Sequence, residues 1–138
     1  MAIDELPEVT IGDRIRKSRL KKGLSQEALA KRAKIGRKYL IGFENDQYFP
    51  SLYNIRRIAG VLQVDEDYLC DSYLRFINNN PSEKILSIRK GLNLTRKELG
   101  KILNVHSGTI KKWEINISTI NRNNFNKLIS LIDKEPTY

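Results

Sequence analysis

Cysteine, histidine, tryptophan and methionine each occur once in this chain of 138 residues, and proline four times. Cys70 alone excludes an intrachain disulfide framework and a multi-cysteine zinc cluster. His106 alone excludes a histidine-built metal site, and no carboxylate is evident to orient it as a general base. No apolar run reaches the roughly 18 residues that a membrane span needs. Residues 1–9, MAIDELPEV, are acidic and have no apolar centre, so they do not read as a signal peptide. An enzyme would need at least two convergent acid–base groups, and no motif supplies them. The expectation is a cytoplasmic, non-enzymatic protein without metal or cofactor. At 40% hydrophobic and 30% charged residues, the composition is that of a folded chain. The length allows one ordinary domain or two very small ones.

The informative stretch is SQEALAKRAKIGRKYLIGFE, residues 25–44. It reads as two short helices with a tight turn at Ile35 and Gly36. Ser25 is placed to cap the first of them. Ala28, Leu29 and Ala33 are expected on its inner face. Leu40 and Phe43 form the inner face of the second, and Arg37, Lys38 and Ile41 point elsewhere. A short helix with an apolar inner face and an outer face of Arg, Lys and a small aliphatic suits the major groove of DNA. Charge agrees with this. Residues 14–38 carry eleven Arg or Lys against the single Glu27, whereas Asp65, Glu66, Asp67 and Asp71 crowd a later helix start. The net charge of +9 by itself says only that polyanions are preferred. Asp65, Glu66 and Asp67 read as a helix cap and first-turn charges rather than as a metal cluster.

The same stretch resembles the phage-repressor (Cro/C1, or Xre) family of helix-turn-helix regulators. The resemblance is carried by Arg19, Leu24-Ser25-Gln26-Glu27, Leu29-Ala30, Ile35 and Glu44. Lys34 stands where the family usually has a turn glycine, and Gly36 where it usually has a serine cap. The resemblance implies an all-α bundle of five short helices over residues 10–72. It pairs Arg19 with Glu44, and it has Gln26 contact a phosphate, often alongside a base-reading residue.

Along the chain, Thr10 is expected to cap a first helix of about residues 11–22, with Ile11, Ile15 and Leu20 inward and Gly23 left-handed at its end. Ser51 and Asp65 are expected to cap the fourth and fifth helices. Leu52, Ile55, Ile58, Ala59 and Leu62 recur at helical spacing in the fourth. Cys70 reads as a half-buried small hydrophobe.

The pattern then starts again, displaced by seventy positions. Ile15, Arg19, Leu24 and Ser25 return as Ile85, Arg89, Leu94 and Thr95, and Leu29, Ile35, Leu40, Phe43 and Glu44 as Leu99, Val105, Ile110, Trp113 and Glu114. Ile55, Ile58 and Leu62 return as Phe125, Leu128 and Ile132. A register kept at core and cap positions together indicates an internal duplication. The expected organisation is a tail over 1–9, a first unit over 10–72, a short linker over 73–80 and a second unit over 81–135. Asn80 is expected to cap the second unit and Pro81 to open it. The residue matching Asp65 is Glu135, so the second unit is expected to lack a fifth helix. Tyr73, Leu74, Phe76 and Ile77, or a partner subunit, would cover what that leaves open.

Gln26, Arg37, Lys38 and Ile41 are candidates for base contact in the first unit, and Ser107, Lys111 and Lys112 in the second. Lys17, Lys21, Lys22, Tyr39, Asn45, Arg96 and His106 are candidates for phosphate. Core packing is an equal reading for Tyr39. Trp113 reads as core rather than as a base stacker. Gly108 offers no side chain, so the first unit is the better base reader. The expected partner is double-stranded DNA, bound by a homodimer acting as a repressor. The alternative is an antitoxin or adaptor whose second unit binds a protein.

Overall fold

The computed structural model describes residues 2–133. It is all-α, with ten short helices among those residues. The contacts divide it into two units, residues 1–74 and 75–138.

The first unit contains α1 (Ile11–Lys21), α2 (Gln26–Ala33), α3 (Arg37–Glu44), α4 (Leu52–Leu62) and α5 (Glu66–Leu69). Four of the five start where the chain offers a side-chain cap. Thr10 and Asp13 form a capping box, and Ser25, Ser51 and Asp65 accept from the Ala28, Asn54 and Asp67 amides. α3 alone begins without a side-chain cap, because Gly36 has none to offer. Ile15, Leu29, Leu40, Ile55, Ile58 and Leu69 are fully enclosed. On α2 the small residue that goes inside with Leu29 and Ala33 is Ala30; Ala28 is only half-buried. Cys70 is fully rather than half-buried.

Close approach decides one glycine. A Cβ on Gly12 would lie 2.6 Å from the Phe43 and Glu44 carbonyl oxygens. The start of α1 therefore rests directly on the end of α3, where Asp46 accepts from the Gly12 amide at 3.1 Å and the Thr10 hydroxyl at 2.8 Å.

The turn between α2 and α3 runs through Lys34 at φ 56°. A left-handed conformation costs an L-residue about 1 kcal/mol that glycine avoids. Lys34→Gly is expected to stabilise the unit by about 0.5–1 kcal/mol, read as a shift in urea midpoint. The second unit meets the same need with Asn104 at φ 58°, a residue that tolerates it better.

Residues of the N-terminal tail are held against the first unit. A 3-10 turn, Ile3–Glu5, leads to Glu8, whose carboxylate accepts from Lys17 at 3.1 Å and from the Tyr68 hydroxyl. Those two bonds, Tyr68's above all, lower the Glu8 pKa. Burial, then the bond to Glu8, pushes the Tyr68 phenol up to about 12.

The stretch expected as a linker is also helical. α6 (Ser72–Asn78) begins where Asp71 accepts from the Leu74 amide at 3.0 Å, and Leu74 is buried. Asn80 does not cap the helix after it. It turns the chain in a left-handed conformation at φ 52°, and its side chain accepts from the Ser82 hydroxyl instead.

The second unit contains α7 (Pro81–Gly91), α8 (Arg96–Leu103), α9 (Ser107–Glu114) and α10 (Arg122–Asp133). Thr95 and Glu98 close the expected capping box on α8. Leu99, Leu103, Ile110, Trp113, Phe125 and Leu128 make the core. Ile132, matched to buried Leu62, stays 38% exposed. Phe76 of α6 lies on Phe125 at 5.0 Å between ring centroids, so the apolar stretch before the second unit covers part of it. Glu135 lies outside the described residues.

Candidate nucleic-acid interface

In the first unit, α3 presents Arg37, Lys38 and Tyr39 to solvent, with Ile41 half-buried beside them. Leu40 and Phe43 hold the helix from beneath. Tyr39 is 58% exposed, which removes the core reading of its ring. At the far end of α3, Glu44 accepts two bonds from Arg19, at 2.7 and 2.8 Å, while Arg19 also donates to the Leu24 carbonyl at 2.9 Å. Both side chains are enclosed. This fork locks the end of α3 to α1 and to the loop that enters α2. Gln26 joins it, donating to Glu44 at 3.2 Å. Gln26 thus reaches the outer surface in a fixed orientation. Asn45 comes next at the end of α3, exposed.

The second unit repeats the fork. Arg89 donates to Glu114 at 2.6 and 3.0 Å and to the Leu94 carbonyl at 3.0 Å. Arg96 takes the place of Gln26 and donates to Glu114 at 2.9 Å. Burial of Glu114 raises its pKa, but the bonds from Arg89 and then Arg96 outweigh it, and the net displacement is below the ordinary 4.5. The bond to Glu114 likewise raises Arg89. Ser107, Lys111 and Lys112 are exposed on α9, as is His106 before it. His106 stands at the N-cap of α9 and makes no side-chain cap bond.

Three of the phosphate candidates stand elsewhere. Lys17 is 5% exposed, its ammonium held by the Asp4 carbonyl and by Glu8 at 3.1 Å. A lysine so enclosed is not available to a phosphate, and the docked N-terminal residues are what took it. Lys21 lies 3.4 Å from Asp4, and Lys22 donates to Gln63. All three line a hollow with Glu8, Asp65 and Tyr68, away from the α3 side chains. Periodicity places a lysine on a face; it does not reveal that an acidic segment will fold over that face.

Sequence reasoning also missed Lys97. With Arg89, Thr95, Arg96, Ser107, Gly108 and Lys111 it lines an open hollow of about 590 Å³ between α8 and α9. The signal was present: the matching residue in the first unit is Glu27. Among the described residues no group of three or more His, Cys, Asp or Glu is placed to hold a metal ion. No helix among them is long and apolar enough to cross a membrane.

The two α-helical pairs, each closed by an Arg–Glu fork, agree with sequence comparison. A helix-turn-helix family model matches residues 15–69 and again residues 85–138. The chain belongs to the helix-turn-helix family. Both units of this helix-turn-helix protein carry the match, so the repeat of the fork follows a repeat of the family's own pattern. The immunity repressor protein of Bacillus phage phi105 is 32% identical over 100 residues, which span 67% of this chain and 67% of the relative. No solved structure is significantly similar. Membership makes this a DNA-binding regulatory protein.

Proposed function

We propose that this helix-turn-helix protein is a sequence-specific regulator of transcription, a repressor, that sets α3 of its first unit into the major groove of double-stranded DNA. The observation that carries the reading is the solvent face of α3, with Arg37 and Lys38 exposed on a helix locked at its end by the buried Arg19–Glu44 fork. Arginine presents a fork to guanine edges, and Ile41 offers an apolar contact for a thymine methyl. Gln26 joins them as a base contact, and Tyr39 and Asn45 beside that face serve phosphates. The similarity to a phage immunity repressor supports repression rather than activation. Such a protein works in the cytoplasm of a bacterium, where its operator is.

A homodimer belongs to the same proposal. Tyr48, Phe49 and Tyr53 are exposed beside α3, in a stretch from residue 39 to 55 that has no Lys or Arg. Exposed aromatic side chains of this kind offer a second copy apolar surface to bury. A protein partner on the second unit is favoured by exposed Ile102, Ile115 and Ile117, which replace Arg32, Asn45 and Gln47 of the first. A stable co-purifying protein docked on the second unit would mark this antitoxin or adaptor reading.

The test is selection of duplexes from a random library by the intact protein at about 0.15 M salt, near the physiological range. A palindromic motif indicates a dimer reading through one unit, and two unlike half-sites at fixed spacing indicate that both units read. Retention of DNA without any enriched sequence would overturn the proposal.

A further inference from the structure

The two units divide their charge unequally. Residues 1–74 carry thirteen Lys and Arg against eleven Asp and Glu, a net +2. Residues 75–138 carry twelve against five, a net +7. The unit less suited to reading bases is the one that holds most of the positive charge.

Its placement is specific. In the first unit the cations stand on the reading helix itself, as Arg37 and Lys38, and the start of α2 carries Gln26 and Glu27. In the second unit the reading helix keeps two lysines, Lys111 and Lys112, in its last turn, and two further cations stand at the start of the neighbouring helix. α8 opens with Arg96 and Lys97, while α9 opens with Ser107 and Gly108. Four cations, Arg89, Arg96, Lys97 and Lys111, line the hollow between α8 and α9, with Glu114 the carboxylate bonded to the two arginines. Arg96 spends its Nε on Glu114 and keeps 39% of its side chain exposed. No carboxylate of the described residues pairs with Lys97 or Lys111. A Cβ on Gly108 would meet nothing within 4 Å, so packing does not demand glycine there. The small residues keep the mouth of the hollow open. An open, cationic, hydroxyl-lined hollow suits phosphodiester oxygens.

We propose that the α8–α9 hollow grips the DNA backbone, so that the second unit supplies sequence-indifferent, salt-dependent affinity and the first supplies the choice of sequence. This rests on the DNA-binding reading above. Ser107 and Lys111 then serve the backbone rather than the bases, and Lys97 is the residue that distinguishes the units.

The experiment uses the full chain and two duplexes, the selected motif and an unrelated sequence, with affinity measured across a range of salt. Lys97→Glu places at 97 the residue that the first unit has at the matching position, Glu27. It is expected to lower the slope of log affinity against log salt by about 1 or more, as loss of a phosphate contact does. Affinity should fall about tenfold for both duplexes, leaving the preference between them unchanged. Lys97→Gln should give the same pattern more weakly. Lys90→Glu makes the same charge change on exposed α7 surface outside the hollow, and should move the slope much less. An unchanged slope for Lys97→Glu, or equal effects at positions 90 and 97, would overturn the hollow while wild-type selection of a motif still stood. A changed preference at one base position would make Lys97 a reader and overturn the division of labour. If the wild type binds neither duplex, the DNA-binding reading falls and this inference with it.

Discussion

Glu44→Ala is expected to destabilise the first unit by about 3–5 kcal/mol, the cost of leaving a buried charge without its partner. Arg19 and Glu44 side chains are 9% and 1% exposed, so the guanidinium that remains cannot recover its hydration where it stands. The loss should appear as a lower urea midpoint by circular dichroism. Removing both charges separates structure from charge. In Arg19→Met with Glu44→Leu, most of the lost stability should return, because a buried pair is worth little against apolar groups of similar size. Specific DNA binding should stay impaired in the double variant, since Gln26 has lost the carboxylate that orients it at 3.2 Å. A loss below about 1 kcal/mol for Glu44→Ala would place the pair with ordinary surface ion pairs and remove it as the lock on α3.

Arg37→Ala is expected to cost about 1–3 kcal/mol at one or two base positions of the operator, and little elsewhere. The side chain is exposed at the first residue of α3, so its removal leaves the core of Leu40 and Phe43 intact. Repeating the selection with the variant reads the effect directly as relaxed preference at those positions. An equal loss on every sequence would make Arg37 a phosphate contact. Arg37→Ala should alter which sequence is bound, whereas Lys97→Glu should alter how strongly salt competes.

The legible parts of this protein were those in which a residue's role is local. Thr10, Ser25, Ser51, Asp65 and Thr95 cap helices because each hydroxyl or carboxylate meets an amide two or three residues on, whatever else the chain does. Leu29, Leu40, Leu99 and Ile110 are buried because helical spacing fixes their face. The forks at Arg19–Glu44 and Arg89–Glu114 span 25 residues in each unit and became legible only through the family's pattern.

The features that stayed hidden depended on contacts between distant segments. Lys17 had the spacing of an outward lysine, but the Asp4 carbonyl and Glu8 close over it. Asn80 had the chemistry of a cap, but the chain needed its tolerance of a left-handed turn. The stretch 73–80 had no helix signal strong enough to stand alone, yet it forms most of α6, with Leu74 buried and Phe76 packed on Phe125.

The sequence by itself determined that there are two helix-turn-helix units and where most of their helices begin. These properties come from periodicity and capping, which act within one or two helical turns. Only the tertiary structure decided which of the basic residues remain available to an anion. That is a matter of which carboxylates and carbonyls fold against them. It closed Lys17 beneath the N-terminal segment and left Lys97 on an open hollow, and no spacing in the chain distinguishes the two.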